Sequence, residues 1–143
     1  MQPSDWLLAF IDAGGGRPAD PVRLQKGLFL LAMSGELPPG ERYAFEAYAY
    51  GPMSRALYAD LRALAREGLV ELVDVAGERW QAARITARGA ARVEGRSVVY
   101  GAAALASVGG LRRELDALSF DGLLRRVYRD HPEFAVNSVF RDR

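Results

Sequence analysis

The sequence of 143 residues has no cysteine, a single histidine and a single lysine. The absence of cysteine excludes disulfide bonds, thiol catalysis and thiolate metal sites. With only His131 to supply imidazole, metal sites built from several histidines and most Ser-His or Cys-His mechanisms are excluded as well. Glycine-rich nucleotide motifs, metal-ligand spacings and nucleophile elbows are also missing. We therefore expect a protein that is not an enzyme and that uses no metal and no cofactor.

Net charge is also small, since 19 Lys and Arg residues face 18 Asp and Glu residues. A net charge of +1 does not by itself indicate a nucleic-acid partner, so the positions of the arginines must decide that question. No apolar run approaches the ~18 residues of a membrane span, and the N-terminus lacks the basic region of a signal peptide. These absences predict a cytoplasmic protein with no membrane partner.

The N-terminal third predicts two apolar helices. Ser4 and Asp5 precede the first, which spans Trp6 to Ile11 and ends at the glycines of 14–16, interpreted as a flexible connection. Asp20 and Pro21 start the second, which runs to about Met33. An apolar stripe on it should face the core and comprises Leu24, Leu28 and Leu31.

The middle of the chain predicts a strand, a helix and a hairpin. Alternation from Tyr43 to Tyr50 indicates a short strand, after which Gly51-Pro52 is interpreted as a turn. Ser54 should cap a helix over 54–67 whose buried face holds Leu57, Leu61 and Leu64. Segments 69–75 and 79–85 then predict a β-hairpin.

A further helix, over about 87–93, should be capped by Thr86. The final third is predicted to be helical, with a stripe at Leu111, Leu115 and Leu118 and a helix over 120–128 capped by Ser119. The Ala- and Gly-rich segment 101–110 is interpreted as a junction. We expect a core in residues 1–100 and a C-terminal helical extension in 101–143, which packs on the core or forms a dimer interface.

The predicted order is helix, helix, strand, helix, hairpin, helix, which is typical of a winged helix-turn-helix domain. The expected fold class is α+β, mainly α, with a small antiparallel β-hairpin as the wing. In DNA-binding members of this class the helix before the hairpin enters the major groove, and the hairpin lies against the phosphate backbone.

The helix over 54–67 has a row of arginines opposite its leucines. Guanidinium groups bind guanine or phosphate in a bidentate manner, and hydroxyl groups can add contacts. Candidate DNA-binding residues are Ser54, Arg55, Tyr58, Arg62 and Arg66 on this helix, with Arg79 and Arg84 on the hairpin. Against this interpretation, surface helices in arginine-rich proteins often show such a row, and Asp60 and Glu67 would repel phosphate.

Several short motifs resemble a known group of bacterial proteins. Leu24-Gln25-Lys26, then Tyr50-Gly51-Pro52 with Ser54, and then Gly68-Leu69-Val70 resemble the "LQK…YGP…S…L…L…G" pattern of YwgA-like proteins and the related Panacea (SocA-like) proteins. The segment from Val127 to Ser138 looks closer to the YwgA-like group. Ile85-Thr86-Ala87-Arg88-Gly89 is similar to the "LTxxG" ending of MarR- and PadR-type regulators.

The resemblance implies a winged-helix-like core and carries over Gln25, Lys26, Tyr50, Gly51 and Pro52 as motif residues whose role is architectural or functional. Panacea-type proteins act as antitoxins or proteolytic adaptors. The leading hypothesis is a dimeric DNA-binding transcriptional regulator whose partner is double-stranded DNA. The alternative is an antitoxin- or adaptor-type module whose partner is a protein.

Overall fold

A computed structural model describes residues 1–138 of the chain. The fold is mainly helical with two small antiparallel sheets, which confirms the predicted α+β class. In chain order the elements are α1 (Pro3–Asp12), α2 (Pro21–Met33), β1 (Glu46–Tyr48), β2 (Gly51–Met53), α3 (Arg55–Arg66), β3 (Val70–Asp74), β4 (Gln81–Ile85), α4 (Ala87–Gly95), α5 (Ser97–Tyr100), α6 (Ala102–Asp116) and α7 (Phe120–Asp130). Short 3-10 turns lie at Pro39–Glu41 and Pro132–Ala135.

Helices α1 and α2 form the centre of the core. Helix α2 begins as predicted, because the Asp20 carboxylate accepts a hydrogen bond from the Arg23 backbone N–H (2.9 Å) and Pro21 occupies the first turn. Its predicted stripe is buried with its neighbours from Leu24 to Ala32. A helix buried on every side like this one must be covered by other elements all round.

The segment between α2 and α3 forms a hairpin rather than a strand followed by a turn. Strand β1 pairs with β2 in antiparallel register, with Tyr48 opposite Gly51 and Ala47 opposite Pro52. The predicted turn at Gly51-Pro52 is therefore wrong, since both residues lie in β2. Proline is tolerated there because a two-stranded sheet has only edge strands. Gly51 has a φ of 91°, a conformation that favours glycine.

The second hairpin is confirmed where it was predicted. Strand β3 pairs with β4 from Val70 opposite Ile85 to Asp74 opposite Gln81. Ala19, in the connection between α1 and α2, adds a bridge to Ala83 through hydrogen bonds of 2.8 and 2.9 Å. This hairpin is therefore fixed to the N-terminal helices as well as to α3.

The chain after the second hairpin is helical, and two of its helices have their caps at the predicted residues. The Thr86 hydroxyl accepts a hydrogen bond from the Gly89 N–H (3.0 Å), and the Ser119 hydroxyl accepts one from the Gly122 N–H (3.1 Å). Of the predicted junction at 101–110, all but Gly101 is helical, because α6 runs unbroken from Ala102 to Asp116. The break falls at Gly101, whose φ is 92°.

Helices α6 and α7 share one hydrophobic core with the N-terminal helices. Val108 and Leu115 of α6 and Leu123 and Val127 of α7 belong to the same buried cluster as α1 and α2. The described part of the predicted extension therefore packs on the core. Val139 to Arg143, the end of the predicted 101–143 extension, lie outside the described residues.

Candidate functional site

The solvent face of α3 carries the predicted row of arginines. Arg55, Arg62 and Arg66 are exposed, and Ala56 and Ala59 are exposed between them. The opposite face is buried in the core and consists of Leu57, Leu61 and Leu64. The helix thus presents cations and small side chains to solvent, supported from behind by leucine packing.

The arginines differ in the partners they have within residues 1–138. The Arg55 guanidinium donates a hydrogen bond to the Tyr48 hydroxyl (3.2 Å). Arg62 and Arg66 make no hydrogen bond or ion pair with a described residue. These two guanidinium groups are therefore available to a ligand without loss of an internal contact.

Asp60, which was expected to repel phosphate, lies off this face. The Tyr43 hydroxyl donates a hydrogen bond of 2.6 Å to the Asp60 carboxylate, which is half-buried on the side of α3 that faces Tyr43. Burial, and then this bond, raise the pKa of Tyr43 well above its ordinary value. The exposed part of α3 therefore carries only positive charge from Arg55 to Arg66, and Glu67 follows the helix.

Two of the predicted contact residues do not lie on the exposed face. Ser54 is buried, and its side chain makes no capping bond although it occupies the N-cap position. Tyr58 is half-buried against the core; burial raises its pKa, and an interaction with Gln25 partly offsets this. The burial of Ser54 corrects that predicted contact, whereas Tyr58 keeps part of its side chain at the surface.

The β3–β4 hairpin is less basic than expected. Arg79 is exposed in the loop between the strands, next to the partly exposed indole of Trp80. Arg84 forms an ion pair with Glu71 on the facing strand (2.9 Å), so its charge is neutralised locally. Asp74 and Glu78 are exposed nearby. Only Arg79 of the two predicted hairpin residues is thus free to reach a phosphate.

The motif residues meet in a buried junction between α2 and the start of α3. The Gln25 amide accepts a hydrogen bond from the Ser54 backbone N–H (2.8 Å) and donates one to the Ser54 carbonyl (2.9 Å). We call this pair the Gln25–Ser54 clasp. It satisfies the backbone donor and acceptor of Ser54 between the end of β2 and the start of α3, so it holds the first turn of α3 on α2.

Lys26 completes this junction. Its side chain is 3% exposed, and its ammonium group donates to the Pro52 carbonyl (3.1 Å). Burial lowers the pKa of Lys26 to about 8, an effect that the Asp20 charge partly offsets. The φ of 91° at Gly51 favours glycine, and a Cβ there would also lie close to the Lys26 Cε, at 3.1 Å. The whole Lys26 side chain, including its ammonium group, is therefore part of the interior.

Tyr50, the remaining motif residue, lies on the surface. Its ring contacts Phe120 edge to face, with centroids 6.0 Å apart. The motif therefore divides into a buried part, which holds α2 to α3, and an exposed aromatic contact with α7. The sequence alone could not predict which motif residues are buried, because both parts of the motif mix polar and apolar residues.

A buried arginine that the sequence did not single out fixes α6 to α1. Arg112 is 0% exposed, and its guanidinium donates to the carbonyls of Phe10 (3.0 Å), Ile11 (3.2 Å) and Arg17 (2.7 Å). Asp116 balances its charge at 2.9 Å. A Cβ at Gly14 would lie 2.3 Å from the Arg112 Cζ, so Gly14 is required for close packing and is not only a flexible connection.

No protein-family model matches the chain, and no curated protein matches it. Across residues 1–138 no helix has both the length and the apolar character needed to cross a bilayer. Within the same range, no three His, Asp or Glu side chains are grouped so that they could bind a metal ion.

Proposed function

We propose that the protein is a winged-helix regulator that binds double-stranded DNA with the exposed face of α3. The observation that carries this proposal is the arrangement of Arg55, Arg62 and Arg66, which are exposed opposite a fully buried leucine face. Arginine forks bind guanine O6 and N7 or clamp phosphate oxygens. The alanines between them leave room for the helix axis to approach base edges closely.

The order of elements supports the winged-helix interpretation. Helices α1, α2 and α3 are followed by the β3–β4 hairpin, and Ala19 adds a third backbone segment to that hairpin. In this interpretation β1 and β2 are an insertion between the second and third helices. The Gln25–Ser54 clasp then sets the orientation of the recognition helix relative to α2.

Electrostatics predicts binding of moderate strength. On each protomer α3 and Arg79 offer four cations that make no internal ion pair in the described chain, whereas Glu71, Asp74 and Glu78 oppose phosphate at the hairpin. Each neutralised phosphate contributes roughly −0.9 to the slope of log K against log salt. A dimer doubles the number of contacts, so a homodimer is part of the proposal. A cytoplasmic location is proposed as well.

The test is titration of a labelled duplex from the gene's own promoter region with protein, followed by fluorescence anisotropy at low and high salt. The double variant Arg62→Ala with Arg66→Ala should weaken binding about 10-fold or more, since arginine contacts to DNA are worth about 1–3 kcal/mol each. The matched control is Arg113→Ala with Arg125→Ala, which removes two exposed arginines elsewhere. Equal affinity of the two double variants would exclude α3 from the interface.

A protein-binding function of the antitoxin or adaptor kind is the second candidate. The observation that favours it is the pair Val98 and Val99 in α5, which are 93% and 69% exposed. Contiguous exposed apolar surface marks sites of protein contact. If the wild-type protein shows no affinity for promoter DNA at low salt but forms a stoichiometric complex with a purified partner encoded beside it, this candidate replaces DNA binding.

The dimer is tested separately by sedimentation equilibrium. Ala102, Ala103 and Ala106 continue the exposed apolar surface from α5 onto α6. Val98→Asp with Val99→Asp should convert a dimer to a monomer without loss of helical content, because both side chains are outside the core. A dimer that persists in this variant would place the interface on another surface.

A further inference from the structure

A depression of about 260 Å³ lies between the C-terminal parts of α2 and α7 and the middle of α6. It is on the surface formed by the C-terminal helices, and none of the proposed DNA-binding residues lines it. Ligand pockets commonly have volumes of ~300–1,000 Å³, so this one suits a small molecule with one ring or a short chain.

The floor of the pocket is apolar. Leu30 and Leu31 are buried parts of the core, and Leu111 is half-buried against it. Met33, which is 45% exposed, adds a flexible thioether at the rim. Ligand contact with this floor would remove apolar surface from water, which is the main favourable contribution for a small ligand.

The rim is electronegative because two helices end at the pocket. Helix α2 ends at Met33, and α7 ends at Asp130. The C-terminus of a helix carries roughly half a negative charge from its aligned carbonyl groups. Both partial charges therefore lie close to the same depression.

Side-chain charges act in the same direction. Arg126, the one arginine in the lining, pairs with Glu114 at 2.9 Å and with Asp130, and Asp130 also pairs with Arg129 at 3.3 Å, so these two cations and two carboxylates balance. His131 has Glu133 at 3.7 Å. Glu36 is exposed at the rim and has no cationic partner among residues 1–138. The lining thus keeps an uncompensated carboxylate above an apolar floor.

We infer that this pocket binds a small amphipathic organic cation, an ammonium group attached to a compact apolar body. The apolar body occupies the leucine floor, and the ammonium group lies beside Glu36 and the two helix ends. The inference does not depend on the proposed DNA binding, because the pocket contains no residue of the α3 face.

Three probes that share a phenyl ring and three methylenes and differ in their head group test the charge preference: 3-phenylpropylamine, 3-phenylpropanol and 4-phenylbutyrate. Binding to the full-length protein is followed at neutral pH by the methyl NMR signals of Leu30, Leu31 and Leu111. Because the probe is small, the amine should bind with a Kd of roughly millimolar order. It should bind about 3- to 10-fold more tightly than the alcohol, and the carboxylate should bind least.

Two variants locate the site. Ser107→Phe fills the depression from α6 and should abolish the methyl shifts, while thermal unfolding checks that the fold is retained. Glu36→Gln should reduce the preference for amine over alcohol about 2- to 3-fold, and Glu46→Gln, an exposed glutamate on β1, should leave it unchanged. Equal binding of the three probes, no saturable shift of these methyl signals, or shifts that persist in Ser107→Phe would overturn the inference.

Discussion

Arg112 on α6 and Arg62 on α3 are the same residue type on amphipathic helices, yet they occupy opposite environments. Arg112 is fully buried and donates to three backbone carbonyls, whereas Arg62 is exposed and makes no internal bond with a described residue. The buried guanidinium is a structural element, because removal leaves several polar groups without partners. The exposed one contributes little to folding and is available for recognition.

The largest effect should come from Arg112→Ala. The carbonyls of Phe10, Ile11 and Arg17 lose their donor, Asp116 loses its cation, and a cavity forms beside Phe10. We expect a loss of about 3–5 kcal/mol in the free energy of unfolding, measured by urea denaturation. Arg113→Ala, which truncates the exposed neighbour, should change it by less than about 0.5 kcal/mol. Similar losses of unfolding free energy in the two variants would contradict the structural role assigned to the buried arginine.

The next largest effect should come from Gln25→Leu, which breaks the Gln25–Ser54 clasp. The Ser54 N–H and carbonyl would be left buried without partners, at an expected cost of about 1–3 kcal/mol. Amide exchange at the first turn of α3 should accelerate in the same variant. Gln81→Leu, which removes an exposed bond to Asp74, serves as the control. Unchanged exchange in Gln25→Leu would show that α3 is held by other contacts.

Lys26→Met should change how stability depends on pH. The pKa of Lys26 is about 8 in the folded protein and 10.5 in its ordinary state, so the unfolded chain binds the extra proton between these values. Relative to Lys26→Met, wild-type stability should therefore rise from about pH 8 to about pH 9.5 by about 1 kcal/mol per pH unit. The measurement is the difference between the urea midpoints of the two proteins across this window, because the contribution of the buried tyrosines is common to both and cancels. Parallel profiles would contradict the buried ammonium group.

The smallest effect on stability should come from Arg62→Ala with Arg66→Ala. Because both side chains are exposed and make no internal bond within residues 1–138, the free energy of unfolding should change by no more than about 0.5 kcal/mol. Thermal unfolding of the same preparation used for the DNA titration provides the check. A large loss of stability would mean that these arginines belong to the fold rather than to a binding face.

Local patterns were sufficient where a residue acts on its own neighbours. Thr86 and Ser119 cap helices as predicted, and the stripes of α2 and α3 are buried as predicted. The exposure of the α3 arginines also followed from helical periodicity, because a helix with leucines on one face must turn its charges away.

Patterns failed where the deciding contact is distant in sequence. Serine is a residue type typical of an N-cap, but the backbone groups of Ser54 bond to Gln25, which is 29 residues away. Segment 101–110 has the composition of a linker, but packing of Val108 and anchoring of Arg112 keep it helical. Arg112 itself gave no signal, since its acceptors lie about 100 residues earlier.

The sequence by itself determined the mainly helical class, the main helices, the second hairpin and the face on which the α3 arginines lie, because these depend on periodicity and on caps within a few residues. Tertiary structure alone decided which polar residues are buried. Gln25, Lys26 and Arg112 are inside because backbone groups from other elements meet them there, and a buried donor is tolerated only where such acceptors converge.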